Sequence, residues 1–89
     1  MSAEKETLLE FPCRFPIKAM GLAAPDFGAL VVGIVRRHAP DLKESAVQSR
    51  SSRGGKYLSV TITIEATSKD QLDAIYQALS DHERVLMSL

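Results

Sequence analysis

Tyr57-Leu58-Ser59-Val60-Thr61-Ile62-Thr63-Ile64-Glu65-Ala66 alternates from one end to the other. Leu58, Val60, Ile62 and Ile64 share one face; Tyr57, Ser59, Thr61, Thr63 and Glu65 share the other. Successive side chains point to opposite sides of a strand, so this segment belongs to a sheet with one buried face and one wetter face. Gly54-Gly55 just before it marks a turn. Ahead of that turn, Lys43 to Arg50 reads as a weaker strand, polar at nearly every position.

Working outward, the hydrophobic period changes on both sides. Cys13, Phe15, Ile17 and Ala19 alternate with Arg14, Pro16, Lys18 and Met20, which reads as a first strand ended by Gly21. Pro25 suits the first turn of a helix, and Asp26 favours its positive end. Phe27, Leu30, Val31, Ile34, Val35 and His38 then recur at helical spacing. Arg36 and Arg37 fall in the last turn and Pro40 stops it. On the other side, Ser68 with Gln71 three residues on is a capping-box signature. Leu72, Ile75, Tyr76 and Leu79 form a second helical stripe. Val85, Met87 and Leu89 alternate as a last strand.

The order is β-α-β-β-α-β. Two amphipathic helices must cover one apolar sheet face, and right-handed crossovers leave one common arrangement. That is an α+β, ferredoxin-like sandwich: a four-stranded antiparallel sheet in order 4-1-3-2 with two helices on one face. Strands one and three are read as central and parallel to each other, strands two and four as edges. Charges such as Lys43, Glu44 and Arg50 on the second strand discourage pairing with other chains. Pro16 falls in a central strand and cannot donate a ladder hydrogen bond, so regular pairing is expected to begin at Ile17. Residues 10–89 make one domain behind a flexible segment, residues 1–9.

The chain has 89 residues, 45% of them apolar, but ten of the apolar residues are alanine. One modest core is all it can build. No run approaches the roughly 20 apolar residues of a membrane helix. Residues 1–10 are too charged for a signal peptide. The single cysteine, Cys13, excludes an internal disulfide and a Cys-Cys metal clip. Eleven basic residues balance eleven acidic ones. Together these point to a soluble, cytoplasmic protein with no cofactor, no bound metal and no membrane partner.

Candidate chemistry is thin. A copper-carrying version of this topology needs Cys-x-x-Cys in the first strand–helix loop, and Gly21-Leu22-Ala23-Ala24 has no sulfur. An acylphosphatase version needs an arginine there and an asparagine later; the loop lacks the arginine and the sequence has no asparagine. Cys13 and His38 both sit on apolar faces, which suits a structural thiol and a ring at the core edge better than a nucleophile and base. No catalytic residue is therefore assigned. RNA-binding versions stack bases on aromatics of the two central strands. Arg53-Gly54-Gly55-Lys56-Tyr57 faintly echoes their signature, and residues 36–56 carry a net charge of +4, but the first strand offers no ring to the open face.

Two sites remain. Gly21, Pro25 and Asp26, between the first strand and helix, could hold a small carboxylate-bearing ligand on backbone N–H groups, with Asp26 pairing an amine on it. Met20, Tyr57, Thr61 and Leu86 should lie on the open sheet face, a mixed surface suited to homodimerisation or to docking of a protein partner. Gly33, with Ala29 four residues earlier, makes a small-residue groove. It suits close packing against the second helix, or contact with another chain, as in a homo-oligomer.

Leu8-Leu9-Glu10-Phe11-Pro12, Lys18-Ala19-Met20-Gly21, Arg37-His38-Ala39-Pro40 and Gly55-Lys56-Tyr57-Leu58-Ser59-Val60-Thr61-Ile62 match in order, and from about Leu8 to Leu89 the chain resembles the YbeD-like family of small bacterial proteins. The resemblance implies a ferredoxin-like fold similar to ACT-like regulatory domains, which bind amino acids and control metabolic enzymes. It also implies a regulatory tie to lipoate metabolism, because such proteins are often encoded beside the octanoyltransferase of lipoate synthesis. ACT domains hold their effector at the first strand–helix loop, often with an acidic residue, a proline and a glycine. Gly21, Pro25 and Asp26 occupy that region here in a different order.

Overall fold

A computed structural model describes residues 10–89; the expected flexible segment 1–9 lies outside the described residues. The elements are β1 (Cys13–Leu22), α1 (Phe27–Arg36), β2 (Val47–Ser51), β3 (Tyr57–Ala66), α2 (Lys69–Asp81) and β4 (Met87–Ser88). One four-stranded sheet runs in the order β2-β3-β1-β4, the expected order read from its other edge. Phe27, Val31 and Val35 of α1 and Leu72, Ile75 and Leu79 of α2 join Ile17, Ala19, Val60, Ile62 and Ile64 of the sheet in one buried cluster. Both helices therefore cover the same sheet face, and the ferredoxin-like sandwich is the fold.

The central strands are antiparallel, which corrects the expectation that they run parallel. The crossover through α1 makes β2 follow the direction of β1, and the turn at Gly54-Gly55 then reverses the chain into β3. Both glycines take positive φ, 86° and 75°, as a tight reversal demands.

Pairing of β1 with β3 runs unbroken from Cys13 opposite Ala66 to Leu22 opposite Tyr57, and Pro16 stands opposite Thr63 inside it. The expected start at Ile17 is thus too late. Lys18 shows why the proline is tolerated: its N–H and C=O both bond Leu89, away from β3, at 3.0 and 2.8 Å. Backbone groups alternate sides along a strand, so the nitrogen of Pro16 faces that same flank, where β4 offers no partner.

Other boundaries shift for local reasons. Pro25 lies in a turn before the helix rather than in its first turn, because Asp26 is the N-cap residue and Phe27 begins the helix. Residues Glu44–Ala46 form a 3₁₀ turn, so the weak strand is only Val47–Ser51. Gly33 is exposed, and a Cβ there would meet nothing within 4 Å, so it is not a packing glycine against α2.

The Ser68 cap is present: its hydroxyl accepts from the Gln71 N–H at 3.0 Å. The return bond goes one residue earlier than a capping box requires, to the Thr67 N–H, which donates to Gln71 Oε1 at 2.8 Å. That leaves Gln71 Nε2 free to donate to the His38 carbonyl at 2.7 Å, tying the start of α2 to the end of α1.

Candidate functional site

Gly21 does not end β1. It is buried inside it, opposite Leu58, and its φ is not positive. A Cβ at Gly21 would overlap the carbonyl of Arg84 and fall 2.5 Å from Cε1 of Phe27. The space above it is filled by the first aromatic ring of α1. Glycine is required here by close approach, not by backbone conformation. The loop beyond is also committed: the Ala23 N–H bonds the Lys56 carbonyl at 2.9 Å, and the Phe27 N–H bonds the Ala24 carbonyl at 3.1 Å.

Asp26 has a partner that the sequence does not suggest. Arg84 donates to it from both guanidinium nitrogens, Nη2 to Oδ1 at 2.8 Å and Nη1 to Oδ2 at 3.0 Å. This fork ties the N-terminus of α1 to the segment that leads into β4. The hydrogen bonds from Arg84 hold the Asp26 carboxyl below its ordinary value of 3.8. The same bonds hold the guanidinium proton more firmly. Folding thus favours ionised Asp26. Its contribution is present above the ordinary carboxylate value and disappears as the pH falls through the lowered folded value. The pair is exposed, so the effect is small. In urea titrations the midpoint of Asp26→Asn is expected slightly below wild type at neutral pH, and the two should converge in strong acid.

Cys13 packs at the margin of the core, and His38 is half-buried beyond α1, held through its carbonyl by Gln71. Among the described residues no three of His, Cys, Asp and Glu come together as metal ligands. No helix among them is long and apolar enough to cross a membrane. A depression between β3 and the segment after α1 gathers Arg14 and Lys43 with Asp41 and Glu65, so its charges cancel.

The open sheet face is different. Cross-strand partners lie on the same side of a sheet. Lys18, Met20 and Leu22 of β1 therefore share this face with Thr61, Ser59 and Tyr57 of β3. β4 adds Met87 opposite Met20, and Leu89 follows it opposite Lys18. Met87 and Leu89 thus belong to the open face, not to the buried face that their alternation with Val85 implies. The short pairing with β1 sets the face, and Val85 lies before it, half-buried against the core. Leu86 precedes β4, bonds the Met20 carbonyl through its N–H at 2.8 Å, and lies beside Leu22, Ala24 and Arg84.

The result is an apolar corner. Leu22, Leu86, Met87 and Leu89 are 55%, 58%, 52% and 65% exposed, the large apolar side chains most open to solvent among the described residues. Of the four residues expected on this face, Met20, Tyr57 and Thr61 are there and half-buried, and Leu86 stands at its end. Leu22, Met87 and Leu89 were not foreseen. Continuing the alternation of Lys18 and Met20 past Gly21 would have found Leu22.

Comparison with known proteins agrees with this architecture. UPF0250 protein NE1487 of Nitrosomonas europaea is 52% identical over 96% of this chain and 98% of its own length. A UPF0250 protein of Chromobacterium violaceum is 49% identical over the full length of both. The solution structure of protein HP0495 from H. pylori has a TM-score of 0.68 at 13% identity, covering 91% of this chain and 85% of that one. That likeness shows a shared fold. The family described as "Protein of unknown function (DUF493)" matches residues 6–89, in keeping with the YbeD-like resemblance. The chain belongs to that family.

Proposed function

We propose that this protein is a non-enzymatic regulatory module of the cytoplasm that docks onto a partner protein, such as a metabolic enzyme, through the apolar corner of its open sheet face. The observation that carries the reading is the gathering of Leu22, Leu86, Met87 and Leu89 at one end of that face, each more than half exposed. A contiguous apolar patch on a small chain marks a contact surface. The family resemblance directs the search for a partner towards lipoate metabolism.

The test compares captured proteins. Leu22→Ser with Met87→Ser should lose the partner that the wild type retains, while the melting temperature stays nearly unchanged, because both side chains are solvated. A partner held equally by both proteins would remove this surface from consideration.

A second reading, sensing of a small carboxylate, rests on Arg84. Its side chain borders a depression walled by Leu22, Ala24, Glu83 and Leu86. A carboxylate entering there would have to displace Asp26 from the guanidinium. Saturating ligand would raise the melting temperature by mass action. A flat thermal-shift screen across amino acids and short fatty acids would count against it.

A further inference from the structure

We infer that the partner segment received by the open sheet face is acidic as well as apolar, its carboxylates meeting Lys18 and Arg50; the inference rests on the docking reading above and adds the partner's chemistry to it. Lys18 of β1 stands opposite Thr61, and Arg50 of β2 stands opposite Ser59, so the two cations flank β3 from both sides. Two strand spacings and a two-residue offset separate their backbones by roughly 12 Å, but both side chains are long enough to converge. Both line the same two shallow depressions on this face.

The floor between them suits a carboxylate. One depression adds Gln48, Ser59 and Thr61, which are hydrogen-bonding groups without charge, and among the described residues no aspartate or glutamate lines either depression. The ion pairs of the described residues join Lys69 to Asp73 and Arg84 to Asp26, so neither Lys18 nor Arg50 is neutralised by one. Two unneutralised cations on one surface favour an anionic partner.

The cationic centre runs directly into apolar surface. Met20 and Tyr57 line the second depression together with Lys18 and Arg50, and Met87 stands opposite Met20. A partner therefore needs carboxylates over β3 and aliphatic side chains towards β4. Nucleic acid fits less well. Among the described residues Tyr57 is the single aromatic ring on this face, and the Lys56 ammonium already lies 5.5 Å from its centroid. β1 presents Arg14, Pro16, Lys18, Met20 and Leu22 to this side, with no ring for a second base.

The experiment titrates the isotopically labelled full chain with three probes, following backbone amide shifts. The probes are an octapeptide alternating glutamate and leucine, its lysine–leucine counterpart, and oligouridylate. The glutamate–leucine peptide should shift amides around Lys18, Arg50, Ser59 and Thr61. Its affinity should fall with added salt, and about tenfold or more in Lys18→Glu with Arg50→Glu. Equal binding of the lysine–leucine peptide, or an unchanged affinity in the charge-reversed variant, would overturn the acidic assignment. Oligouridylate binding that the charge reversal abolishes would assign the cations to phosphates and overturn it as well. No shift on this face with the glutamate–leucine peptide would do the same.

Leu22→Ser with Met87→Ser separates this inference from the docking reading. Loss of the peptide there but not in the charge-reversed protein sinks the acidic assignment alone. Loss only on charge reversal sinks the apolar corner alone and keeps the carboxylate site. Unchanged melting temperatures in both variants ensure that neither loss reflects unfolding.

Discussion

Phe27→Ala should destabilise the protein by about 3–5 kcal/mol, the range for truncating a fully buried aromatic. A domain of 89 residues has roughly 5–13 kcal/mol in total. The variant should therefore unfold at a much lower urea concentration, and can be partly unfolded in buffer. The ring is fully buried and is among the largest such side chains in the core. It fills the space above Gly21, so its loss opens a cavity whose floor is β-sheet backbone and cannot readily collapse. Circular dichroism followed through a urea titration measures the effect. A loss below about 1 kcal/mol would mean that the ring is not seated where α1 meets β1.

Gly21→Ala is the second large effect, of opposite kind. The added methyl would meet Phe27 Cε1 at 2.5 Å and Cζ at 2.6 Å, together with the backbone carbonyl of Arg84. Neither neighbour is the loose end of a flexible chain. Overpacking of this type costs about 1–3 kcal/mol. The two positions should be coupled. Phe27→Leu removes the ring carbons that obstruct the methyl, so Gly21→Ala should cost less in that background than in the wild type. The Arg84 carbonyl stays in place, so the rescue should be partial. A double-mutant cycle in urea reads the coupling directly, and strict additivity would contradict the contact.

What could be read before the structure was the local, periodic part. Leu58, Val60, Ile62 and Ile64 alternate over enough residues to fix a buried face, and Phe27, Val31 and Val35 recur on one side of a helix. Ser68 and Gln71 announce a helix start by their spacing alone. Gly21 was legible as special but not for the right reason, because the groups that crowd it come from Phe27 and from Arg84, far along the chain. The Asp26–Arg84 fork spans 58 residues and has no periodic signature.

The candidate site was half legible for the same reason. Met20, Tyr57 and Thr61 sit on long regular strands, so alternation assigned their face. Met87 and Leu89 belong to a final segment too short for its own pattern to decide anything. Their face is set by Met20 and Lys18 across the sheet. Lys18 and Arg50 come together only because β2 and β1 flank β3, a neighbour relation that topology creates.

The long flank of β1 beyond β4 has a consequence for how the molecule behaves when crowded. From Cys13 to Ile17 that side of the sheet has no strand partner among the described residues, and at Pro16 the chain carries a nitrogen without hydrogen. A foreign strand trying to extend the sheet there meets a missing donor and a rigid ring at the same step. Fibrillar stacking is thereby frustrated on the one side where the brevity of β4 would otherwise invite it.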